Sequence, residues 1–157
     1  MKSVAELTGQ FRARGLKVTP QRQSIFRALS SSVVHPTAES VYAAVSAELP
    51  TISLRTVYQT LNDLASMGEL STLDVGTGST RFDPNIEPHH HLVCDDCGRI
   101  SDLHTAFPGV EVPPTGEGAG FEVLTTQIVF RGRCAECAAA GPRSQPSQHQ
   151  PRGASHA

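Results

Sequence analysis

The four cysteines of the chain occur as two C-x-x-C pairs, and this spacing constrains the fold more than any other feature of the sequence. Cys94 and Cys97 form the first pair, and Cys134 and Cys137 form the second, after residues 98–133. Four thiolates in two such pairs are a tetrahedral ligand set for structural zinc. Two disulfides are disfavoured in a reducing cytosol, and redox chemistry needs one pair rather than two matched ones. We therefore predict a structural zinc site with four cysteine ligands that stabilises a small domain.

Length and composition limit the remaining classes of protein. The 157 residues, 38% of them hydrophobic, suit one ordinary domain or two small ones. The longest apolar stretch, residues 123–130, is too short and too interrupted to cross a membrane. Residues 1–15 lack the apolar core of a signal peptide. We therefore expect a cytoplasmic protein with no membrane partner.

Charge is unevenly distributed along the chain, although the net charge is only −2. Residues 1–30 contain six basic residues and one acidic residue, whereas residues 83–157 contain five basic and nine acidic ones. This asymmetry is compatible with a nucleic acid bound by the N-terminal part, and equally with a solvated helix face.

Apolar periodicity and helix-capping residues organise the first eighty residues. Thr19-Pro20 and Ser53, for example, are signals for the start of a helix. The predicted elements are helices over residues 4–14, 20–29, 38–48 and 54–67 and a β-hairpin over residues 70–75 and 79–82. Helices followed by a hairpin are typical of a winged helix-turn-helix.

Beyond residue 84 the pattern changes to short segments rich in Val, Ile, Phe and Thr. Predicted strands cover residues 91–94, 99–103 and 121–131, and residues 107–120 are predicted to form a loop rich in proline and glycine. Each cysteine pair follows a predicted strand and is predicted to lie at a turn. The fold class is therefore predicted to be α+β. The predicted organisation is a winged-helix DNA-binding domain over residues 1–83, a hinge over 84–88, a small α/β dimerisation and metal-binding domain over 89–137, and a disordered tail over 138–157.

Histidines and aspartates near the first cysteine pair suggest a second metal site. On an extended segment residues i and i+2 face the same way, so His89 and His91 can bind one ion while His90 points away. The candidate nitrogen and oxygen ligands are His35, Asp83, His89, His91 and Asp102. Such a set suits Fe(II), Mn(II) or Zn(II), and the carboxylates favour iron and manganese. A polar linker at the histidine run, and a residue at a helix start for His35, remain alternatives at this point.

Six short passages of the chain together resemble the sequence pattern of a known protein family. They are GLKVTPQR (15–22), HPTAESVY (35–42), SLRTVYQTL (53–61), RFDP (81–84), HHHLVCDDCG (89–98) and CAEC (134–137). Together they resemble the Fur family of metal-dependent bacterial transcriptional repressors, from about Leu7 to Cys137. The resemblance implies a homodimer that binds palindromic operator DNA when it is loaded with metal. The chain departs from the family at residues 107–120, where most members have a helix.

Within that family, the candidate His/Asp set most resembles the PerR branch, the peroxide sensors, which combines two aspartates with three histidines. The iron-sensing branch usually has glutamates where Asp83 and Asp102 stand. The resemblance implies that hydrogen peroxide, the only small-molecule reactant expected, oxidises His35 or His89 when Fe(II) is bound and so releases the DNA. That reaction is stoichiometric rather than a turnover, so we predict that the protein is not an enzyme.

The fourth predicted helix is the candidate DNA reader. If its apolar positions pack inward, the residues left for the groove are Arg55, Thr56, Gln59 and Asn62. Tyr58 is compatible with a core position or, as the resemblance implies, with a base contact. Lys17 and Arg22 are predicted to hold phosphates, and the hairpin bearing Arg81 is predicted to act as the wing.

Other functions remain open on the sequence alone. A Fur-like or Mn-responsive metal-uptake repressor without peroxide sensing would use the same ligands. A metal-dependent hydrolase is disfavoured because the sequence offers no spare general base and no substrate-cradling loop. A zinc-ribbon interaction module would leave the His/Asp set without a role.

Overall fold

A helical domain is followed by a hairpin and a small three-stranded sheet in the computed structural model, which confirms the predicted α+β class. The structure describes residues 1–32, 34–76, 78–108, 120 and 122–141. The helices are α1 (Val4–Ala13), α2 (Pro20–Ser30), α3 (Ala38–Ser46), α4 (Leu54–Ser66) and α5 (Ala135–Ala139). The strands are β1 (Ser71–Leu73), β2 (Arg81–Asp83), β3 (His90–Cys94), β4 (Ile100–Leu103) and β5 (Val129–Gly132).

Each of the first four helices begins after a hydroxyl residue whose side chain accepts a hydrogen bond from a main-chain N–H of the first turn. These N-caps are Ser3, Thr19, Thr37 and Ser53. Such caps satisfy N–H groups that have no partner inside the helix. The predicted helix starts are therefore correct, and the ends of α3 and α4 fall one or two residues before the predicted ends.

The core of the helical domain is formed by one apolar face from each helix. Its largest fully buried members are Leu7, Phe11, Ile25, Phe26, Leu29, Val57, Leu61, Leu64 and Phe82. Phe82 comes from β2, so the hairpin is packed onto the helices rather than projecting freely. Because α4 buries Val57, Leu61 and Leu64, its opposite face is turned outward.

Two sheets follow the helices. Strands β1 and β2 form the antiparallel hairpin, and the second sheet has the order β4-β3-β5. Strand β3 is antiparallel to β4 and parallel to β5, with His91 opposite Asp102 on one side and Val129 on the other. A small apolar cluster joins the hairpin to this sheet, and its members are Leu73, Val75, Val93 and Ile100.

The prediction of a long strand over residues 121–131 is wrong, because only Val129–Gly132 pairs with the sheet. Strand β3 has five residues and therefore cannot pair with a strand of eleven. Residues 122–128 contain β-forming side chains but no regular structure, and Leu124 is 86% exposed. Such residues favour a strand mainly because their side chains pack on a neighbouring strand. Residues 122–128 have no such neighbour among the described residues.

Two further predictions need correction at the C-terminal end. The second cysteine pair is predicted at a turn, but Cys134 is the N-cap of α5 and Cys137 lies within that helix. The predicted tail begins at residue 138, whereas α5 continues to Ala139. Residues 142–157, like most of the predicted loop at 107–120, lie outside the described residues.

The described helices are all short in comparison with a bilayer. None of them is long and apolar enough to span one.

The packing of α4 predicts an asymmetric response to alanine substitution. Leu61→Ala is expected to lower the free energy of unfolding by about 3 kcal/mol, because it leaves a cavity at a fully buried site. Arg55→Ala, on the exposed face of the same helix, is expected to change it by less than about 0.5 kcal/mol. Urea denaturation followed by circular dichroism measures both values. Equal losses in the two variants would contradict this packing.

Candidate metal centres

Three imidazoles and one carboxylate converge between the helical domain and the second sheet. The Nε2 atom of His91 lies 2.9 Å from Nε2 of His89 and 3.1 Å from Nε2 of His35. Oδ2 of Asp83 lies 3.0 Å from His89 Nε2, 3.4 Å from His91 Nε2 and 3.5 Å from His35 Nε2. All four side chains are buried. The structure therefore brings together four of the five candidate ligands in one compact cluster.

The fifth candidate, Asp102, lies at the edge of this cluster. Its Oδ1 atom is 3.0 Å from His35 Nε2 and 3.7 Å from His89 Nε2. Its side chain is 27% exposed, against 1% for Asp83, so it forms the solvent side of the cluster.

Four different parts of the fold supply these ligands. His35 precedes α3, Asp83 ends β2, His89 and His91 lie just before and within β3, and Asp102 belongs to β4. The main-chain N–H of Phe82 donates to the carbonyl of Pro36, which holds the segment bearing His35 against β2. The cluster thus spans the helical domain, the hairpin and the second sheet.

The spacing of the ligand atoms fits a bound metal ion. Ligand atoms held at about 2.1 Å from a common ion lie about 3.0 to 3.4 Å from one another, depending on the geometry. The measured separations within the cluster fall around this range. In addition, Asp83 Oδ2 is buried without a hydrogen-bond partner among the described residues. A buried carboxylate oxygen facing three ring nitrogens is strongly disfavoured unless a cation neutralises it.

The ionisation of the cluster also suits a metal site. Burial disfavours the charged form of Asp83, but the adjacent His35 ring and the main-chain N–H of Asn85 outweigh it, and the pKa of the carboxyl lies below its ordinary value. Burial, followed by the positive charges of the neighbouring histidines, lowers the pKa of His91. An ionised carboxylate beside a neutral imidazole is the state in which these side chains bind metals.

His89 is held in the tautomer that metal binding requires. Its Nδ1 atom lies 2.6 Å from the main-chain carbonyl of Glu87. A carbonyl oxygen only accepts hydrogen bonds, so Nδ1 carries the proton and Nε2 presents its lone pair to the cluster. His90, between the two ligands, points elsewhere, and its Nδ1 accepts a hydrogen bond from the N–H of Ile128.

A second cluster contains the four cysteines. Their sulfur atoms lie within 4.8 Å of one another, and Sγ of Cys97 is 3.8 Å from Sγ of Cys134. Sulfurs at the vertices of a tetrahedron with bonds of about 2.3 Å to zinc are about 3.8 Å apart. The four thiols are therefore close enough together to bind one zinc ion.

The thiols of this cluster differ in their readiness to ionise. The main-chain N–H groups of Cys134 and Cys97 lower the pKa of Cys94 to about 6. Its Sγ atom accepts from the N–H of Cys134 at 3.3 Å. Hydrogen bonding to Cys134, with burial, raises the pKa of Cys137 to about 12. A metal that binds all four sulfurs displaces the remaining protons, so its affinity rises with pH.

Ion pairs that were not predicted from the sequence connect the two halves of the cysteine cluster. Arg99, beside the first pair, makes two hydrogen bonds to Glu136, which lies between the cysteines of the second pair. Arg133 in turn contacts Asp96, between the cysteines of the first pair, at 2.6 Å. The sequence does contain a pattern that could have indicated these ion pairs, because each C-x-x-C pair encloses at least one acidic residue and has an arginine close by.

Arg131 links the cysteine cluster to the hairpin and was likewise missed. Its guanidinium contacts Asp95 at 2.7 Å and donates to the main-chain carbonyl of Val75 at 2.6 Å. Only the tertiary structure brings Val75 close to β5, so no local sequence pattern indicates this contact.

Most of the candidate DNA-binding residues are exposed on the helical domain. Arg55, Tyr58 and Gln59 are exposed on α4, and Lys17 is exposed before α2. Tyr58 is not a core residue, since it is 39% exposed and its hydroxyl donates to Glu39.

Several polar side chains on or near α4 contact other groups of the protein, whereas Asn62 is exposed. The Thr56 hydroxyl lies 2.9 Å from the hydroxyl of Ser53. Asp63 accepts from Gln59 and forms an ion pair with Arg22 at 2.7 Å. Arg22 would therefore have to leave or share this carboxylate in order to bind a phosphate.

The fold and the two clusters define a class of protein. A winged helix-turn-helix joined to a sheet through a buried His/Asp cluster is the architecture of a metal-responsive transcriptional regulator.

Comparison with known proteins identifies the family. The chain matches the sequence profile of the ferric uptake regulator family over residues 13–130. The peroxide-responsive repressor PerR of Staphylococcus epidermidis is 38% identical over 134 residues, which cover 84% of this chain and 88% of the relative. The ferric uptake regulator of Pseudomonas aeruginosa, solved with manganese, has a TM-score of 0.63 at 28% identity, over 82% of this chain and 97% of that structure. The Helicobacter pylori regulator Fur shares the fold, with a TM-score of 0.69 at 22% identity, over 88% of this chain and 97% of the other.

The chain therefore belongs to the ferric uptake regulator family. It is a transcriptional regulator and not an enzyme.

The separation of the two clusters predicts independent metal binding. Metal-free protein is expected to bind two Co(II) ions, one at each cluster. Cys97→Ser should remove the intense thiolate charge-transfer absorption, whereas His91→Ala should remove only the second ion. Spectrophotometric titration of the two variants and the wild type measures both effects. If either variant lost both ions, the clusters would not be independent sites.

Proposed function

We propose that this protein is a metal-dependent repressor that binds palindromic operator DNA as a homodimer and releases it when peroxide oxidises an Fe(II)-ligating histidine. The observation that carries the proposal is the buried cluster itself. One carboxylate and three imidazoles come from both sides of the hinge, and their donor atoms are as close together as the ligands of one metal ion. The buried Oδ2 atom of Asp83 needs a cation to neutralise it. Acting on operator DNA would place the protein in the cytoplasm.

The first part of the proposal assigns structural zinc to the cysteine cluster. The proposed ligands are Cys94, Cys97, Cys134 and Cys137. A site closed by four sulfurs leaves no position for a substrate, so its contribution is to stability. It joins the end of β3 to the start of α5, which helps to hold together a domain with few buried apolar residues.

The second part assigns Fe(II) or Mn(II) to the other cluster. The proposed ligands are His35, Asp83, His89, His91 and Asp102. Imidazole with carboxylate suits both metals, and the absence of sulfur disfavours softer ones. When bound, Fe(II) supplies the electron-transfer chemistry by which hydrogen peroxide adds one oxygen atom to an imidazole ring, with water as the other product.

The structure offers peroxide a route to these ligands. A cleft of about 160 Å³ opens between the domains, and His35, Asp83 and Asp102 form part of its wall. His91 is fully buried behind them. This arrangement supports His35 as an oxidation target. His89, whose Nδ1 proton is held by the Glu87 carbonyl, is the second proposed target.

The ligands also account for regulation of DNA binding. His35 moves with the helical domain, whereas His91 and Asp102 move with the second sheet. When all of them hold one ion, the orientation of α4 relative to that sheet is fixed. When an oxidised imidazole ring no longer binds the ion, the link between the domains is lost. Metal occupancy and DNA affinity are thus coupled through the hinge.

Dimerisation through the second domain is supported by its surface. Apolar side chains remain exposed on β3 and β5, namely Leu92, Val129 and Phe130. A dimer with two-fold symmetry places two copies of α4 on a palindrome, with each helix reading one half-site. In this proposal Arg55, Thr56, Tyr58 and Gln59 contact the groove, and Lys17 and Arg22 contact phosphates.

The DNA-binding face gives a quantitative prediction. Arg55→Ala is expected to weaken binding to a palindrome, selected from random DNA by the Mn(II)-loaded protein, by about tenfold to a hundredfold. Gln59→Ala should also weaken binding to this palindrome. Arg27→Ala, an exposed arginine on α2, is the control and should bind within about twofold of the wild type. Fluorescence anisotropy over a range of salt concentrations measures the affinities. Unchanged affinity in both α4 variants would contradict the assignment of this helix.

Peroxide sensing is tested by comparing the two metals. Protein loaded anaerobically with Fe(II), and in parallel with Mn(II), is exposed to a small excess of peroxide and digested for peptide mass spectrometry. An added oxygen on His35 or His89 is expected in the iron sample only, together with loss of operator binding, because Mn(II) is a poor reactant with peroxide. Unmodified histidines, with DNA binding that follows metal supply alone, would instead establish an iron- or manganese-uptake repressor.

A further inference from the structure

The hinge residue Asn85 contacts both candidate carboxylate ligands. Its main-chain N–H donates to Oδ1 of Asp83 at 2.8 Å, and its side-chain Nδ2 donates to Oδ2 of Asp102 at 2.9 Å. In each aspartate, the oxygen that Asn85 holds is not the one nearest the histidines. Oδ2 of Asp83 and Oδ1 of Asp102 are the atoms that lie 3.0 Å from a ring nitrogen.

The orientation of the Asn85 amide is fixed by a further contact. Its Oδ1 atom accepts a hydrogen bond from the main-chain N–H of Glu87 at 3.2 Å. An N–H group requires an acceptor, so the amide oxygen must face Glu87 and the NH₂ group must face Asp102. The carbonyl of the same Glu87 faces Nδ1 of His89. Three candidate ligands are therefore oriented by one short segment of the hinge.

These contacts limit how each carboxylate can bind a metal. A carboxylate can bind a metal through one oxygen or through both. When an N–H group donates to the second oxygen, that oxygen is not available to the metal, and the carboxylate binds through one oxygen only. Three imidazole nitrogens and two single oxygens make five ligand atoms. Fe(II) and Mn(II) commonly accept six, so one position remains. The cleft of about 160 Å³ is lined by His35, Asp83, Asn85 and Asp102, and that position would face it.

We propose that Asn85 is a positioning residue that keeps Asp83 and Asp102 as single-oxygen ligands and so leaves one coordination position open toward the cleft. The inference rests on the proposed metal-binding role of the cluster. With an ion bound, the open position would be available to water and to peroxide. Without the Asn85 amide, Asp102 is free to turn and offer both oxygens. Because Asp102 is the most exposed of the five ligands, it has the room to do so.

The experiment counts water molecules on Mn(II). Zinc-loaded protein is titrated with Mn(II), and the relaxation of water protons gives the affinity and the number of exchangeable waters on the ion. Wild-type protein is expected to show one exchangeable water. Asn85→Ala and the similarly sized Asn85→Leu are expected to lose it, and in the Fe(II) form to react with peroxide about tenfold more slowly or worse.

Two controls keep the outcomes distinct. Ile86→Ala alters the same segment at a side chain that is 44% exposed and takes no part in these hydrogen bonds, so it should match the wild type. His35→Ala tests the metal site itself. Zinc content and the unfolding temperature of the manganese-free protein verify that every variant is folded.

Each outcome decides a separate question. If His35→Ala binds Mn(II) as tightly as the wild type, the metal site is wrong and the proposed function fails with it. If His35→Ala loses Mn(II) while both Asn85 variants keep the wild-type affinity and water count, only the role of Asn85 is overturned. Loss of the water, or a change in Mn(II) affinity of about tenfold or more in both Asn85 variants, supports the role.

Discussion

The buried contact between one carboxylate and three imidazoles determines how the two domains are arranged. Asp83 and His91 are almost inaccessible to solvent, and His35 reaches them from the helical domain. The apolar cluster that joins the domains contains only four buried residues, and polar contacts such as that of Arg131 with the Val75 carbonyl complete the interface. Because this apolar contact is confined to a few residues, the relative position of the domains also depends on what neutralises the cluster.

The two candidate metal centres are connected through one strand. His91 lies near the start of β3 and Cys94 ends it, so their Cα atoms are separated by about 10 Å along the strand. Strand β3 is also central in its sheet, paired on both sides. The two clusters are therefore held at a set distance from each other by a strand that is hydrogen-bonded on both sides.

The helix starts and the two clusters of candidate ligands could be predicted from sequence, whereas strand lengths and the long-range contacts around the clusters could not. Helix starts followed from hydroxyl caps such as Thr19, and the convergence of His89 and His91 followed from the two-residue period of a strand. The overlong strand at 121–131 shows the limit, because pairing depends on the length of the partner strand. The contacts of Asn85 depend on the meeting of β4 with the hinge, which no spacing along the chain encodes.

The parallel pairing of β3 and β5 has a consequence for how the protein folds. It joins Cys94 to Gly132, so the long intervening segment must close into a loop before the pairing can form, at a large cost in chain entropy. The cysteines lie at the closing end of this loop, where an ion bound to both pairs would hold its ends together. An ion held there would therefore be expected to speed the formation of the second sheet. A newly synthesised chain would then complete its regulatory domain faster when metal reaches the cysteines early, so metal supply would set the pace at which the protein matures.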